Sequence, residues 1–219
     1  MTSTAPPTTG IAGLLLATAG AVTLMGIITA EAIYPTVYTT TANEISDLGG
    51  RTADGVILQP SGYVFTLAMV TTGLATIAAA TLLLRSGASR FLGLAVLLNG
   101  IGTLGVGLFP SGSGPLHPSF AVVSFVAGGL CGIAGGLART GPVSWFSYAL
   151  GGVTLFVLVL ALFGGLDGGA LTGLGIGGAE RWIAYPVVLW QVMFGGALMA
   201  GSVSRPTASP DQVARDDRP

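Results

Sequence analysis

The sequence of 219 residues has no lysine, one histidine, one cysteine and few charges of either sign. Eight arginines stand against nine carboxylates, and only 8% of positions are charged. A soluble domain has about a quarter of its residues charged, so most of this chain is not built for water. The net charge of −1 removes the electrostatic basis for nucleic-acid binding, which needs a basic face to displace counterions, and no nucleic-acid partner is expected. Cys131 alone cannot form an intramolecular disulfide, and it excludes multi-thiolate metal sites and iron–sulfur clusters. His117 alone excludes bis-histidine haem ligation within one chain. What is abundant is apolar surface and glycine: 51% hydrophobic residues, 36 glycines and a mean hydropathy of +0.80.

The charges that exist divide the chain. None occurs before Glu31, between Asp54 and Arg85, between Arg90 and Arg139, between Arg139 and Asp167, or between Arg181 and Arg205. A charged side chain at the centre of a bilayer costs about 2.5–3.5 kcal/mol on the most lenient scale, so these intervals are where helices cross. A core about 30 Å thick takes roughly 20 helical residues, which gives four intervals one span each. The interval from Arg90 to Arg139 holds two, split by the turn-forming run from Phe109 to Pro118. The expected fold is all-α integral membrane, a six-transmembrane-helix bundle with spans at about 10–32, 61–84, 91–109, 117–138, 144–166 and 180–203. Helices are the open option in lipid because each satisfies its own backbone amides, and the period-two alternation of a barrel is absent. Residues 1–9 form a short tail without Lys or Arg, and the apolar run continues to about Ala30, so the first span reads as a permanent helix and not a secretory signal. Residues 204–219, rich in Arg, Asp and Pro, are expected to be a disordered tail. The two halves show no internal repeat.

Short loops with excess positive charge stay cytoplasmic. Arg85, Arg90, Arg139, Arg205, Arg215 and Arg218 fall on one side of a six-span map, and Arg51 and Arg181 on the other. The expected location is therefore the cell membrane, multi-pass, with both termini cytoplasmic. One consequence concerns chemistry: Glu31, Asn43, Glu44, Ser46, Asp47, Arg51, Asp54, His117, Asp167, Glu180 and Arg181 all gather at the extracytoplasmic helix ends.

Three of these groups stand in patterns. His117 opens the fourth helix and shares a stripe, at 100° per residue, with Ala121, Ser124, Gly128 and Gly132. Its ring points into the bundle; alternatively, it is a helix-end histidine satisfied by water or a backbone carbonyl. Glu180 shares a stripe with Ala184, Val187 and Gln191, which carries polar groups about 16 Å inward from the mouth. Asn99 lies at similar depth, so an Asn99–Gln191 hydrogen bond is expected as inter-helix glue worth about 0.6–2 kcal/mol, or a polar crevice leads to the pair. Asp47 sits in Asn43-Glu44-Ile45-Ser46-Asp47-Leu48-Gly49-Gly50, which reads as a short capped turn with a glycine stop as readily as a ligand-binding segment.

Two matches to the dinucleotide fingerprint, Gly100 to Gly105 and Gly173 to Gly178, follow no strand and are accidents of glycine abundance. Gly128, Gly132 and Gly136 form overlapping small-residue repeats that suit close helix packing, within the bundle or in a homo-oligomer.

The combination of Asn43, Ser46, Asp47, Leu48 and Gly49 after the first span, Phe109-Pro110 with His117 and Ala121 between spans three and four, and Glu180-Arg181 with Tyr185 and Trp190 on the last span resembles a six-span membrane family of bacteria and archaea known as domain of unknown function 998. The resemblance covers nearly the whole chain, from about Gly10 to Gly201. It implies a membrane-embedded helical domain with characteristic polar residues outside, and no particular activity.

Three functional classes follow. In the first, Asp47, His117 and Glu180 act on a lipid or its headgroup as acid and base or as ligands of a divalent metal, with Arg181, Ser46 and Asn43 gripping the substrate. No nucleophile motif accompanies them, so water would be the attacking group. No cofactor is evident in the sequence itself; a divalent metal is the one such a set could hold. In the second, a transporter, channel or sensor uses a path from Glu180 to Gln191 and Asn99 for a small solute. The third is a non-catalytic membrane assembly subunit. Glu180 and Arg181, adjacent at a wet helix end, could also simply neutralise each other.

Overall fold

The computed structural model describes residues 7–51, 54–163 and 173–202. It contains six α-helices: α1 (Pro7–Ala32), α2 (Ser61–Arg85), α3 (Arg90–Leu108), α4 (Leu116–Ala138), α5 (Pro142–Phe163) and α6 (Gly175–Ser202). One further turn of 3-10 helix, Ile45–Gly49, lies between α1 and α2. All six helices are long and apolar enough to cross a membrane, and among the described residues there is no β-strand. The chain is an all-α integral membrane protein, a six-transmembrane-helix bundle.

Helices adjacent in sequence pack against each other, and α6 returns to α1, closing a ring; α6 also reaches across to α4. An even number of crossings places the start of α1 and the end of α6 at one end, with the Arg85–Arg90 and Arg139 connections. The other end carries residues 33–51 and 54–60, a strap folded over the bundle. Asp167 and the expected tail at 204–219, with Arg205, Arg215 and Arg218, lie outside the described residues, as do residues 1–6.

The main departure from the sequence reading is the start of α6. Glycine costs a helix interior about 1 kcal/mol, so the run from Gly173 to Gly178 reads as a loop. Instead α6 begins at Gly175, and Glu180 lies beyond its first turn. The compensation is a close backbone approach: the Gly177 N–H donates to the Thr41 carbonyl at 3.1 Å. A Cβ on Gly177 would collide with the Asn43 carbonyl oxygen, so only glycine lets the strap seat there.

The apolar interior has two parts. Toward the termini, Leu16, Leu83, Val96, Cys131, Trp190 and Phe194 form a dry cluster. Under the strap, Leu48 of the 3-10 turn is fully buried against Ile27, Phe65 and Met69. Removing a leucine side chain such as Leu48 from water stabilises by about 1.5–3 kcal/mol. Inside the bilayer that driving force vanishes, and close contact and hydrogen bonds take over. Gly102 shows how: a Cβ there would lie 2.5 Å from the Ser124 amide nitrogen, so α3 and α4 approach at backbone distance. The glycines of this stretch therefore serve packing.

Gly128, Gly132 and Gly136 are likewise consumed inside one chain. All three are buried, against Val187 of α6 and against Gly151 and Tyr148 of α5. Of the two roles expected of them, packing within the bundle is the one these contacts fill. Pro186 interrupts the backbone ladder of α6, and the Thr154 hydroxyl on α5 donates to the neighbouring Ile183 carbonyl at 3.1 Å.

Candidate functional site

The strap is fixed to α6 chiefly by Arg181, which is 8% exposed. Its Nη1 donates to the carbonyls of Thr40 (3.1 Å), Asn43 (3.0 Å) and Gly177 (2.9 Å). Its Nη2 forms the ion pair with Glu31 at the end of α1 and donates to the Tyr38 hydroxyl at 2.7 Å. Tyr38 in turn donates to the Glu44 carbonyl at 2.8 Å. Burial pushes the Tyr38 phenol up to about 12, so it keeps the proton this bond requires.

Within the strap, Asp47 acts locally. One of its oxygens accepts the Glu44 N–H at 3.0 Å and the Asn43 side-chain amide at 3.4 Å. The Asn43 carbonyl oxygen Oδ1 accepts the Thr39 N–H at 3.0 Å. The capping reading of this segment is the geometry observed. Burial raises the Glu44 carboxyl above its ordinary range, and the Asp47 charge raises it further; the Ser46 hydroxyl, donating at 3.4 Å, and His117 act in the opposite direction.

Beneath the strap lies a cavity of about 80 Å³. At its strap end it is lined by Ser46, His117 and Glu180, and at its inner end by Thr72, Asn99 and Gln191. The two stripes of the sequence face it together: His117, Ala121 and Ser124 from α4, and Glu180, Ala184, Val187 and Gln191 from α6. Apolar walls from Ile27, Phe65, Met69 and Val106 complete it. His117 is buried, and its Nδ1 lies 2.8 Å from the Phe109 carbonyl. A carbonyl can only accept, so Nδ1 carries the hydrogen, and in that tautomer Nε2 is the nitrogen with a lone pair. Glu180 accepts the Ile45 N–H and so ties the cavity wall to the 3-10 turn.

The inner end is a polar network that joins the helices. Gln191 donates to Asn99 Oδ1 at 3.2 Å and lies 3.4 Å from the Thr76 hydroxyl. Asn99 Nδ2 donates to the Ser124 carbonyl at 3.0 Å, and Thr103 bonds both the Asn99 carbonyl (2.9 Å) and the Ser124 hydroxyl (3.0 Å). Thr23 and Thr72 pair at 2.8 Å between α1 and α2. The Asn99–Gln191 bond expected as inter-helix glue is present, and both residues line the inner end of the cavity.

Of the candidates, His117, Glu180, Ser46, Asn99 and Gln191 line one cavity; Asp47, Asn43 and Arg181 do not line it. Arg181 pairs with Glu31 and not with its neighbour Glu180, because successive helical residues point about 100° apart and the strap supplies Arg181 with its own acceptors. Among the described residues, no three His, Cys, Asp or Glu side chains gather to hold a metal ion. Thr23, Thr72, Thr76 and Thr103 were not singled out by the sequence. The spacing of four in Thr72/Thr76 and Asn99/Thr103 places each pair on one helix face, which is the signal that could have found them.

Comparison with curated proteins and with solved structures finds no match. A family model described as "Protein of unknown function (DUF998)" matches residues 17–197, from the middle of α1 to near the end of α6, and the chain belongs to that family.

Proposed function

We propose that this is a solute-binding membrane protein of the transporter or sensor class, which admits a small polar molecule beneath the strap into the cavity lined by His117 and Glu180 at the mouth and by Asn99 and Gln191 at mid-membrane. The observation that carries this reading is the cavity in which both polar stripes meet. Its dead end supports binding over free conduction, since the dry cluster of Leu16, Val96, Trp190 and Phe194 fills the bundle beyond it. Arg85, Arg90 and Arg139 lie at the end opposite the strap, which supports cytoplasmic termini in the cell membrane and a cavity mouth outside.

Acid–base chemistry on a lipid headgroup is the second reading. It draws on the His117 Nδ1 bond, which leaves Nε2 as a base in the same cavity as Glu180. Asp47 would then position the strap and not the substrate, because its carboxylate is committed to Glu44 and Asn43. A divalent metal would find two ligands there, His117 and Glu180, and would need water for the rest.

The test is thermal stabilisation of the protein in lipid nanodiscs by a panel of small amines, alcohols, amides and carboxylates. At least one class is expected to raise the melting temperature of the wild type and to fail with Gln191→Leu. If no class stabilises the wild type, the binding reading falls.

A further inference from the structure

We propose that the molecule held in the cavity is a small protonated amine, an inference that rests on the solute-binding reading and narrows it. The first argument is charge. Glu180 lines the cavity, and the cation next to it in sequence, Arg181, is paired with Glu31 and tied to strap carbonyls. The cavity lining therefore contains one carboxylate and no arginine, and the chain has no lysine to supply a counter-charge.

The second argument is the balance of donors and acceptors. The amide donors at the inner end are spent on the protein: Asn99 Nδ2 on the Ser124 carbonyl, Gln191 Nε2 on Asn99 Oδ1. The Thr103 hydroxyl is spent on the Asn99 carbonyl, and the Thr72 hydroxyl reaches the Ala19 carbonyl at 3.2 Å. His117 uses its Nδ1 hydrogen on Phe109, which leaves Nε2 as an acceptor. What the cavity offers a guest at its mouth is lone pairs, those of Glu180 and of His117 Nε2. An ammonium group has three donors and no acceptor, the complement of that set.

The third argument separates an amine from a bare metal ion. A hard cation such as calcium takes six to eight oxygen ligands, whereas here most of the wall is hydrocarbon from Ile27, Phe65, Met69 and Val106. A short alkyl group attached to the ammonium fills that surface without leaving polar atoms unpaired, and the Phe65 face is favourable to a cation. The volume of about 80 Å³ suits a guest of a few heavy atoms.

The test is isothermal titration of the full chain in nanodiscs at mildly alkaline pH with methylammonium chloride, acetamide, sodium acetate and potassium chloride. Methylammonium is expected to bind and the other three to fail. Glu180→Gln keeps an oxygen for the Ile45 N–H but removes the charge, and is expected to weaken methylammonium at least tenfold. Glu180→Asp, which retracts the charge by one methylene, supplies the same test if the amide variant does not fold, with an intermediate loss expected. Acetamide or acetate binding that is lost in Gln191→Leu would overturn the amine assignment while leaving the cavity reading intact. Potassium binding as well as methylammonium would also overturn it. Binding of none of the four would sink both.

Discussion

Replacing Arg181 by leucine should release the strap from α6. The guanidinium donates to three carbonyls, to Tyr38 and to Glu31, and hydrogen bonds involving a charged group contribute about 1.5–3 kcal/mol each. These bonds form one cluster and do not add. Deleting one partner of a buried ion pair costs about 3–5 kcal/mol, but the Glu31 side chain is 23% exposed and water recovers part of that. The net expectation is a loss of about 3 kcal/mol in strap docking, on the order of a hundredfold in its opening equilibrium. The assay is hydrogen exchange read by mass spectrometry at Asn43, Asp47, Gly50 and Gly177, whose amides are bonded within or across the strap. Exchange there should quicken by that factor while the amides of α3 stay unchanged. Arg181→Lys keeps the charge but not the fork, and should fall between. The double variant Glu31→Leu/Arg181→Leu should recover part of the loss because no carboxylate is left unpaired. Unchanged strap exchange in Arg181→Leu would refute the assignment of Arg181 as the anchor.

Other consequences follow from the same contacts. Gly177→Ala should lower the melting temperature, with a cost of about 1–3 kcal/mol, because the added methyl meets the Asn43 carbonyl; Gly178→Ala, whose Cβ would lie 3.1 Å from the Leu174 side chain, should cost less. Asn99→Leu and Gln191→Leu should each destabilise by about 1–2 kcal/mol, and their double variant by less than the sum, since each removes the same bond; additive losses would count against the network. The raised Glu44 carboxyl gives a pH dependence of definite sign. A carboxyl whose folded value lies above its unfolded one binds more protons in the folded state, so its contribution is full below the ordinary value of about 4.3 and is lost as pH rises through the raised one. Strap exchange corrected for intrinsic rates should therefore quicken as pH rises through that window, and Glu44→Gln should abolish the dependence. A slope of opposite sign would contradict the burial assigned to Glu44.

Much of this was legible in the sequence because lipid tolerates so little. Charge-free intervals placed six spans, since one misplaced arginine would cost more than a loop shift. The stripes through His117 and Glu180 were legible because a helix fixes which residues share a face, and both face the cavity. Partner choice was not. Arg181 could pair with Glu180 or Glu31, and the answer depends on where α6 begins and on a strap whose seating needs Gly177. The start of α6 was hidden because helix propensity counts glycine as a cost and cannot see the chain that packs on it. The role of Asp47 stayed open because a cap and a ligand use the same residue types. The threonines were hidden for a related reason: in a helix a threonine hydroxyl commonly bonds its own i−4 carbonyl, as Thr103 does to Asn99, and nothing local announces a second partner on another helix.

The most direct test of the cavity is chemical access at Ala184, which lines it, compared with Leu198, which lies in the dry cluster, and Leu189, which is exposed on the outside of the bundle. With Cys131 replaced by alanine, each position is changed to cysteine and treated in intact cells with a small, water-soluble, membrane-impermeant thiol reagent. The account predicts that Ala184→Cys reacts from outside while Leu198→Cys and Leu189→Cys do not. Equal inertness of Ala184→Cys and Leu198→Cys, or labelling of Ala184→Cys only after the cells are opened, would contradict it.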